Sequence, residues 1–184
     1  FLDSLACVKA VDMSKVNRIM DIGTGAGFPG VPLKIAFPHL EACLLDSLKK
    51  RVNFLEETFQ LLKLENITAI HGRAEEFAKN KAYRETYDLC VSRAVSNLAT
   101  LSEYCLPYVK IGGFFISYKS GTVQEEVEQA QKAVKILGGR IQDVVYFQLP
   151  DSEIQRSLVV IEKVKATPGR YPRKAGTPLK EPLS

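Results

Sequence analysis

Arg18-Ile-Met-Asp-Ile22 runs directly into Gly23-Thr-Gly-Ala-Gly-Phe-Pro-Gly30, and this junction decides the fold. A short apolar strand meets a glycine-rich turn, and a helix is predicted to start near Val31. Pro32 is tolerated in a first helical turn, where a missing N–H leaves no partner unsatisfied. Pro38 ends that helix. The glycines permit a tight turn and let a ligand approach the backbone closely. Such a turn alone is weak evidence. The next strand, Glu41-Ala-Cys-Leu-Leu45, strengthens it by ending at Asp46. An acid at the second strand's tip, about 20 residues beyond the turn, can accept hydrogen bonds from both ribose hydroxyls. Strand, turn and acid together predict a nucleoside bound at the carboxyl ends of the strands.

Working outward, Ser47 is read as an N-cap. Behind it Leu48, Val52, Leu55, Phe59 and Leu62 recur at helical spacing, one face of an amphipathic helix. Ile67–Ile70 and Tyr87–Val91 are further strands, followed by Ser92-Arg93-Ala94. Leu98, Leu101, Cys105 and Tyr108 mark a helix that Gly112-Gly113 is expected to stop. Phe114–Ser117 is strand five. Thr122 and Glu125 read as a capping box for a helix carrying Val123, Val127, Ala130, Val134 and Leu137, closed by Gly138-Gly139. Two strands, 141–149 and 157–164, follow. Five strand–helix alternations predict a parallel sheet covered on both faces. The linker between the last two strands is too short for a parallel crossover, so this pair must be an antiparallel hairpin with one reversed strand at the end of the sheet. The domain is read as residues 1–165, with an extended basic Pro/Gly-rich tail over 166–184.

The chain has 184 residues, of which 46% are apolar and 25% charged. That usage excludes wholly disordered, collagen-like and disulfide-dense classes, and no apolar run approaches a membrane span. The net charge of +4 is unevenly placed. Residues 163–184 hold six basic side chains against Glu181 alone, whereas the preceding residues hold 19 basic and 20 acidic ones. A basic tail on a near-neutral body suits a polyanionic partner, although a solubilising tail has the same composition. Cys7, Cys43, Cys90 and Cys105 form no metal or redox spacing. They read as reduced thiols of a cytoplasmic protein. No signal peptide is seen. The chain starts at Phe1 rather than Met and is read as a fragment or processed product.

Four features choose among nucleosides. The glycines follow GxGxG rather than the dinucleotide pattern GxGxxG. Asp21 stands two residues before the first glycine, the last strands make a hairpin, and Tyr108-Val-Lys-Ile-Gly-Gly113 precedes strand five. All four favour a Rossmann-like class I S-adenosylmethionine-dependent methyltransferase: a mostly parallel, seven-stranded α/β sheet with an antiparallel terminal hairpin. No Walker A pattern is present. A dehydrogenase-like nucleotide binder, a non-catalytic RNA-binding module and a methyltransferase with another nucleic-acid or small-molecule acceptor remain open at this point.

Asp21–Leu33, Leu44-Leu-Asp-Ser-Leu-Lys-Lys-Arg51, Gly72-Arg-Ala-Glu-Glu-Phe77, Ser92-Arg-Ala94 and the tail's Tyr171-Pro-Arg-Lys-Ala-Gly-Thr-Pro178 occur in one order and spacing. In these elements the chain resembles the glucose-inhibited division protein B family over nearly its whole length. The family usually carries a helical segment before the piece matching Phe1–Leu5. The resemblance implies a bacterial enzyme that methylates guanine N7 in the decoding region of 16S rRNA, acting on that rRNA or on the assembling small subunit, with S-adenosylmethionine as cofactor; the sequence shows no dimer seam, so a monomer is expected, with no metal or membrane partner.

The cofactor contacts it implies are Gly23, Gly25, Phe28, Asp46, Ala74, Glu75 and Arg93. Phe28 equally fits a packing residue at a helix start, and Glu75 a solvated carboxylate. Arg93 can hold either the cofactor carboxylate or an RNA phosphate. Lys119, Arg170, Arg173 and Lys174 are candidate phosphate contacts, and Phe28, Tyr118 and Tyr171 are candidates to stack on the target base. His39 and His71 belong to no constellation. Guanine N7 carries a free lone pair and no proton, so no general base is needed and no catalytic acid or base is assigned.

Overall fold

Strand β1 (Arg18–Ile22) is buried over its last four residues, and it joins two cores. Met20 and Ile22 face one side of the sheet and Ile19 the other, as the two-residue period of a strand requires. The computed structural model describes residues 1–93 and 96–184. Ala94, the last member of the Ser92-Arg93-Ala94 element, lies outside the described residues with Val95. Among the described residues β2 (Glu41–Asp46), β3 (Ile67–His71), β4 (Tyr87–Ser92), β5 (Val109–Ser120), β6 (Gly139–Gln148) and β7 (Gln155–Lys163) complete a seven-stranded sheet in the order β3-β2-β1-β4-β5-β7-β6. Strands β3 to β5 of that order are parallel, and β7 is antiparallel to both its neighbours. The expected hairpin is present. Its reversed strand is inserted between β5 and β6, so the edge strand is β6.

The chain winds from β1 towards β3 and then returns to β4 on the other side of β1. Strand order therefore reverses between β1 and β4, which opens a crevice at their carboxyl ends.

On one face α2 (Gly30–Ala36) and α3 (Lys49–Leu61) supply Val31, Leu33, Leu55 and Phe59 to a core with Leu44, Leu89 and Ile116. The short α1 (Leu2–Leu5) packs beside α2. On the opposite face α4 (Ala74–Phe77), α5 (Leu98–Cys105) and α6 (Gln124–Ile136) pack Ala74, Leu98, Leu101, Ala130 and Val134 against Cys43, Cys90 and Phe115. All four cysteines are free and buried.

Three local expectations change. Ser47 does not cap α3. Leu48 is the N-cap residue, no side chain caps the helix, and the Leu48 N–H donates to Asp46 Oδ1 at 2.9 Å, so the strand-end carboxylate fixes the chain's entry into α3 instead. Thr122 and Glu125 form no capping box, because α6 starts behind Val123, whose side chain is buried in the core. Gly112-Gly113 does not stop a helix either. Helix α5 ends at Cys105 and passes into a single 3₁₀ turn, Leu106–Tyr108, where Pro107 cannot continue an α-helix. The glycine pair lies inside β5, where the register with β4 shifts between Tyr87 and Leu89. A Cβ on Gly113 would sit 2.5 Å from the Asp88 carbonyl oxygen.

Residues 166–184, expected as an extended tail, lie against the body. The fully buried Lys163 donates to the Leu106 carbonyl at 2.6 Å and to Thr167 Oγ1 at 2.7 Å, and stands 3.0 Å from Glu85 Oε1. Burial lowers its pKa to about 8. Arg84 donates to the carbonyls of Thr167 and Tyr171. The segment ends in the single-turn helix α7 (Thr177–Lys180), whose Pro178 carbonyl accepts from Thr100 Oγ1 of α5 at 3.0 Å.

Candidate functional site

The glycine turn owes its shape to two buried carboxylates. Asp21 Oδ2 accepts from Thr24 Oγ1 at 2.7 Å and from the Gly30 N–H at 2.8 Å, which folds the turn back onto the start of α2. Asp46 Oδ2 accepts the Gly25 N–H at 2.9 Å, which ties the turn to the tip of β2. Gly25 has φ +63°, a left-handed conformation that favours glycine, and a Cβ there would meet nothing within 4 Å. The turn therefore presents bare backbone to open space.

Asp21 is 1% exposed, and its Oδ1 has no hydrogen-bond partner among the described residues. Loss of solvation, with a smaller contribution from the nearby Asp46 charge, pushes its pKa up to about 6, while Thr24, Gly30 and Arg93 oppose the rise. A positive group placed beside this pair relieves both the desolvation and the repulsion. Asp21 was visible in the sequence as an acid before the glycines, yet received no role there.

A cavity of about 130 Å³ adjoins the turn, lined among others by Gly23, Asp46, Ala74, Glu75, Leu101 and Tyr104. The structure thus brings Gly23, Asp46 and the Ala74-Glu75 pair together from three separate stretches of chain. Small-molecule sites commonly span about 300–1,000 Å³. At about 130 Å³ this cavity is smaller than that range, and it adjoins the open turn. Glu75 is 4% exposed and not solvated: its Oε1 accepts the Gly176 N–H at 2.8 Å, a contact between α4 and the C-terminal segment that sequence reasoning missed.

Beyond Ser96 a larger cavity of about 730 Å³ opens beside β4 and β5. It collects Arg93, Lys119 and Arg156 together with Asp3 and Glu126. Asp3 is shared, with Arg93 at 3.4 Å and Arg156 at 3.5 Å. Lys119 Nζ donates to Glu126 Oε1 at 2.7 Å and to the Ser96 carbonyl at 2.8 Å. The Arg93 guanidinium also lies 5.3 Å from the centroid of the Phe28 ring, which Phe1 meets edge-on. The glycine turn carries the buried carboxylates Asp21 and Asp46, while the larger cavity collects Arg93, Lys119 and Arg156. Arg156 has no signal in the sequence, because only pairing of β7 with β5 carries it to Lys119 and Arg93.

The remaining candidates separate. Arg170 and Lys174 are exposed, with Arg170 over the Tyr171 ring. Arg173 turns inward and is not a free phosphate contact: its backbone N–H, Nε and Nη2 all donate to the fully buried Glu103. Tyr118 and Tyr171 are buried and Tyr118 donates to the Ser4 carbonyl, so neither can receive a base; Phe28 stays half-buried. His39 Nε2 lies within hydrogen-bond distance of the Met13 and Val16 carbonyls, a structural role. Among the described residues no cluster suits a metal ion, and no helix is long and apolar enough to cross a membrane.

The family model described as GidB, rRNA small subunit methyltransferase G, matches residues 1–159. A Lachnoclostridium phytofermentans protein named ribosomal RNA small subunit methyltransferase G is 55% identical over 183 residues, covering 100% of this chain and 76% of its own length. A Clostridium novyi protein of the same name is 51% identical, with 100% and 75% covered. Among solved structures, the S-adenosylmethionine-dependent methyltransferase SibL in its apo form superposes with a TM-score of 0.65 at 15% identity, over 89% of this chain and 55% of its own. That likeness concerns the fold.

Proposed function

The chain belongs to the GidB family of small-subunit rRNA methyltransferases, and from that premise we propose that it transfers a methyl group from S-adenosylmethionine to N7 of a guanine in the decoding region of 16S rRNA. The supporting observation is the adjacency of two unlike sites: a glycine turn flanked by two buried carboxylates, and a cationic cavity reached past Ser96. The unpartnered Asp21 oxygen and the open space before Gly25 fit a cationic nucleoside.

In this reading Asp46 accepts from the ribose hydroxyls, and Glu75 and the Ala74 backbone read the adenine edge. The bare backbone at Gly23 and Gly25 lies along the methionine part, and Phe28 packs over it. Arg93 stands between the two sites and holds a carboxylate or a phosphate in its planar fork. Bound S-adenosylmethionine supplies a methyl group already activated by its sulfonium.

The protein's work is then positioning. The target base must leave its stack, because the deep A-form major groove hides N7. The half-buried Phe28 ring is the aromatic surface open to it. Lys119 and Arg156, with exposed Arg170 and Lys174, neutralise RNA phosphates. Holding the acceptor in line with the methyl carbon contributes about 7–11 kcal/mol to lowering the barrier. Guanine N7 carries a free lone pair and no proton, so no side chain of this chain has to remove one. The charge gained by the base is eased by the carboxylates of Asp3 and Glu126 in the same cavity. The chain works as a monomer in the cytoplasm, on 16S rRNA or the assembling small subunit.

The test is methyl transfer from labelled S-adenosylmethionine to 16S rRNA lacking the modification, with intact small subunits alongside. Reduction and aniline cleavage then map 7-methylguanine. One cleavage site in the decoding region is expected. Label on another nucleotide or another atom would overturn the assignment.

A further inference from the structure

We propose that residues 173–178 are a strap that positions Glu75 to read the adenine amino group of the cofactor, so that Arg173 and Gly176 are positioning residues and not RNA contacts. The proposal rests on the reading of Glu75 as an adenine contact.

Glu75 lies on a four-residue helix that cannot fix a side chain by its own length. It is nonetheless 4% exposed, and its Oε1 accepts the Gly176 N–H at 2.8 Å across 101 residues of sequence. Its other oxygen makes no hydrogen bond among the described residues, and Glu75 lines the cavity beside Asp46 and Gly23. With one oxygen held, the carboxylate plane is held, and the second oxygen remains as an acceptor of fixed direction.

The strap is itself fixed to α5, the helix that supplies Leu101 and Tyr104 to that cavity. Arg173 forms a bidentate pair with Glu103, its Nη2 reaching Oε2 at 2.7 Å and its Nε reaching Oε1 at 3.0 Å, while its backbone N–H donates to Oε1 at 2.8 Å. Glu103 is fully buried on α5, and its neighbours Leu101 and Tyr104 line the same cavity. Thr100 Oγ1 of the same helix holds the Pro178 carbonyl. One hexapeptide therefore fixes α4 through Glu75 and α5 through Thr100 and Glu103. An arginine engaged on three sides by one carboxylate and by the Glu181 carbonyl has few donors left for a phosphate.

Coupling of this kind is reciprocal. If the strap orders Glu75 for adenine, adenine bound at Glu75 must stabilise the Gly176–Glu75 hydrogen bond.

Calorimetric titration of the full chain with S-adenosylhomocysteine and S-inosylhomocysteine, whose adenine amino group is replaced by a carbonyl, tests both levels. The unmodified chain is expected to prefer the adenosyl compound by about tenfold or more, as for a hydrogen bond to a charged acceptor. Glu75→Ala and Arg173→Ala should both erase that preference. A retained preference in Glu75→Ala removes the adenine reading, and the strap proposal with it. Loss in Glu75→Ala with retention in Arg173→Ala overturns the strap alone. A merely structural strap would weaken both compounds equally. Should Arg173→Ala fail to fold, amide exchange at Gly176 in the unmodified chain decides: S-adenosylhomocysteine should slow it about tenfold more than S-inosylhomocysteine, and equal slowing would overturn the proposal.

Discussion

Asp21 is the residue on which the glycine turn closes, through its bonds to Thr24 and Gly30. Its pKa rises from 3.8 to about 6, chiefly by burial. A carboxylate with a raised folded pKa binds its proton more tightly folded than unfolded, so between those two values stability falls as pH rises. The full effect is about 3 kcal/mol, from roughly 1.4 kcal/mol per pKa unit. Chemical unfolding followed from pH 4 to 7 should show this loss in the unmodified chain. Asp21→Asn should be flat across the window; an undiminished slope in Asp21→Asn would place the titrating group elsewhere. The acid itself was plain in the sequence. Its burial and its unpartnered oxygen follow from the sheet and helices closing over it, which no local pattern encodes.

At the scale of elements, β5 shows where sequence punctuation misleads. Glycine pairs often end helices, and Gly112-Gly113 follows a helical pattern. Pro107 had already ended that helix, and the pair serves the strand, where the Asp88 carbonyl leaves no room for a side chain. Gly113→Ala is expected to lower stability by about 1–3 kcal/mol, as overpacking does, read as a reduced denaturant midpoint with an unchanged slope. An unaffected midpoint would mean that the β4–β5 bulge yields without strain. The caps of α3 and α6 carry the same lesson. A side chain that the sequence offers as a cap is displaced when a neighbour, Asp46 or Val123, is anchored more firmly by tertiary contacts.

On the scale of the whole molecule, the C-terminal segment combines two roles that composition cannot separate. Arg170 and Lys174 are exposed and free to meet phosphates, while Lys163, Arg173 and Tyr171 face inward. Replacing Arg170 and Lys174 together by Ala should weaken rRNA binding and reduce the salt dependence by about one unit of slope per contact, with affinity for S-adenosylhomocysteine unchanged. An unaltered slope in a filter-binding series would remove these residues from the interface. Ending the chain at Lys165 should act differently. It strips the buried Glu103 of Arg173 and takes Thr167 from Lys163, which keeps Glu85 and the Leu106 carbonyl; a broken buried pair costs about 3–5 kcal/mol, so the unfolding midpoint should drop. An unchanged midpoint would show that the segment contributes no stability.

The sequence by itself determined the alternation of elements, the parallel sheet with its terminal hairpin, and the glycine turn with Asp46 at the next strand tip. These rest on short-range patterns: apolar periodicity, glycine spacing, and a linker too short for a crossover. Tertiary structure alone decided that Arg156 joins Arg93 and Lys119, that Glu75 is held by Gly176, and that Arg173 pairs with Glu103. Each of these contacts joins residues far apart in the chain. Their geometry is set by the order of strands in the sheet and the path of the last segment, and a linear pattern carries neither.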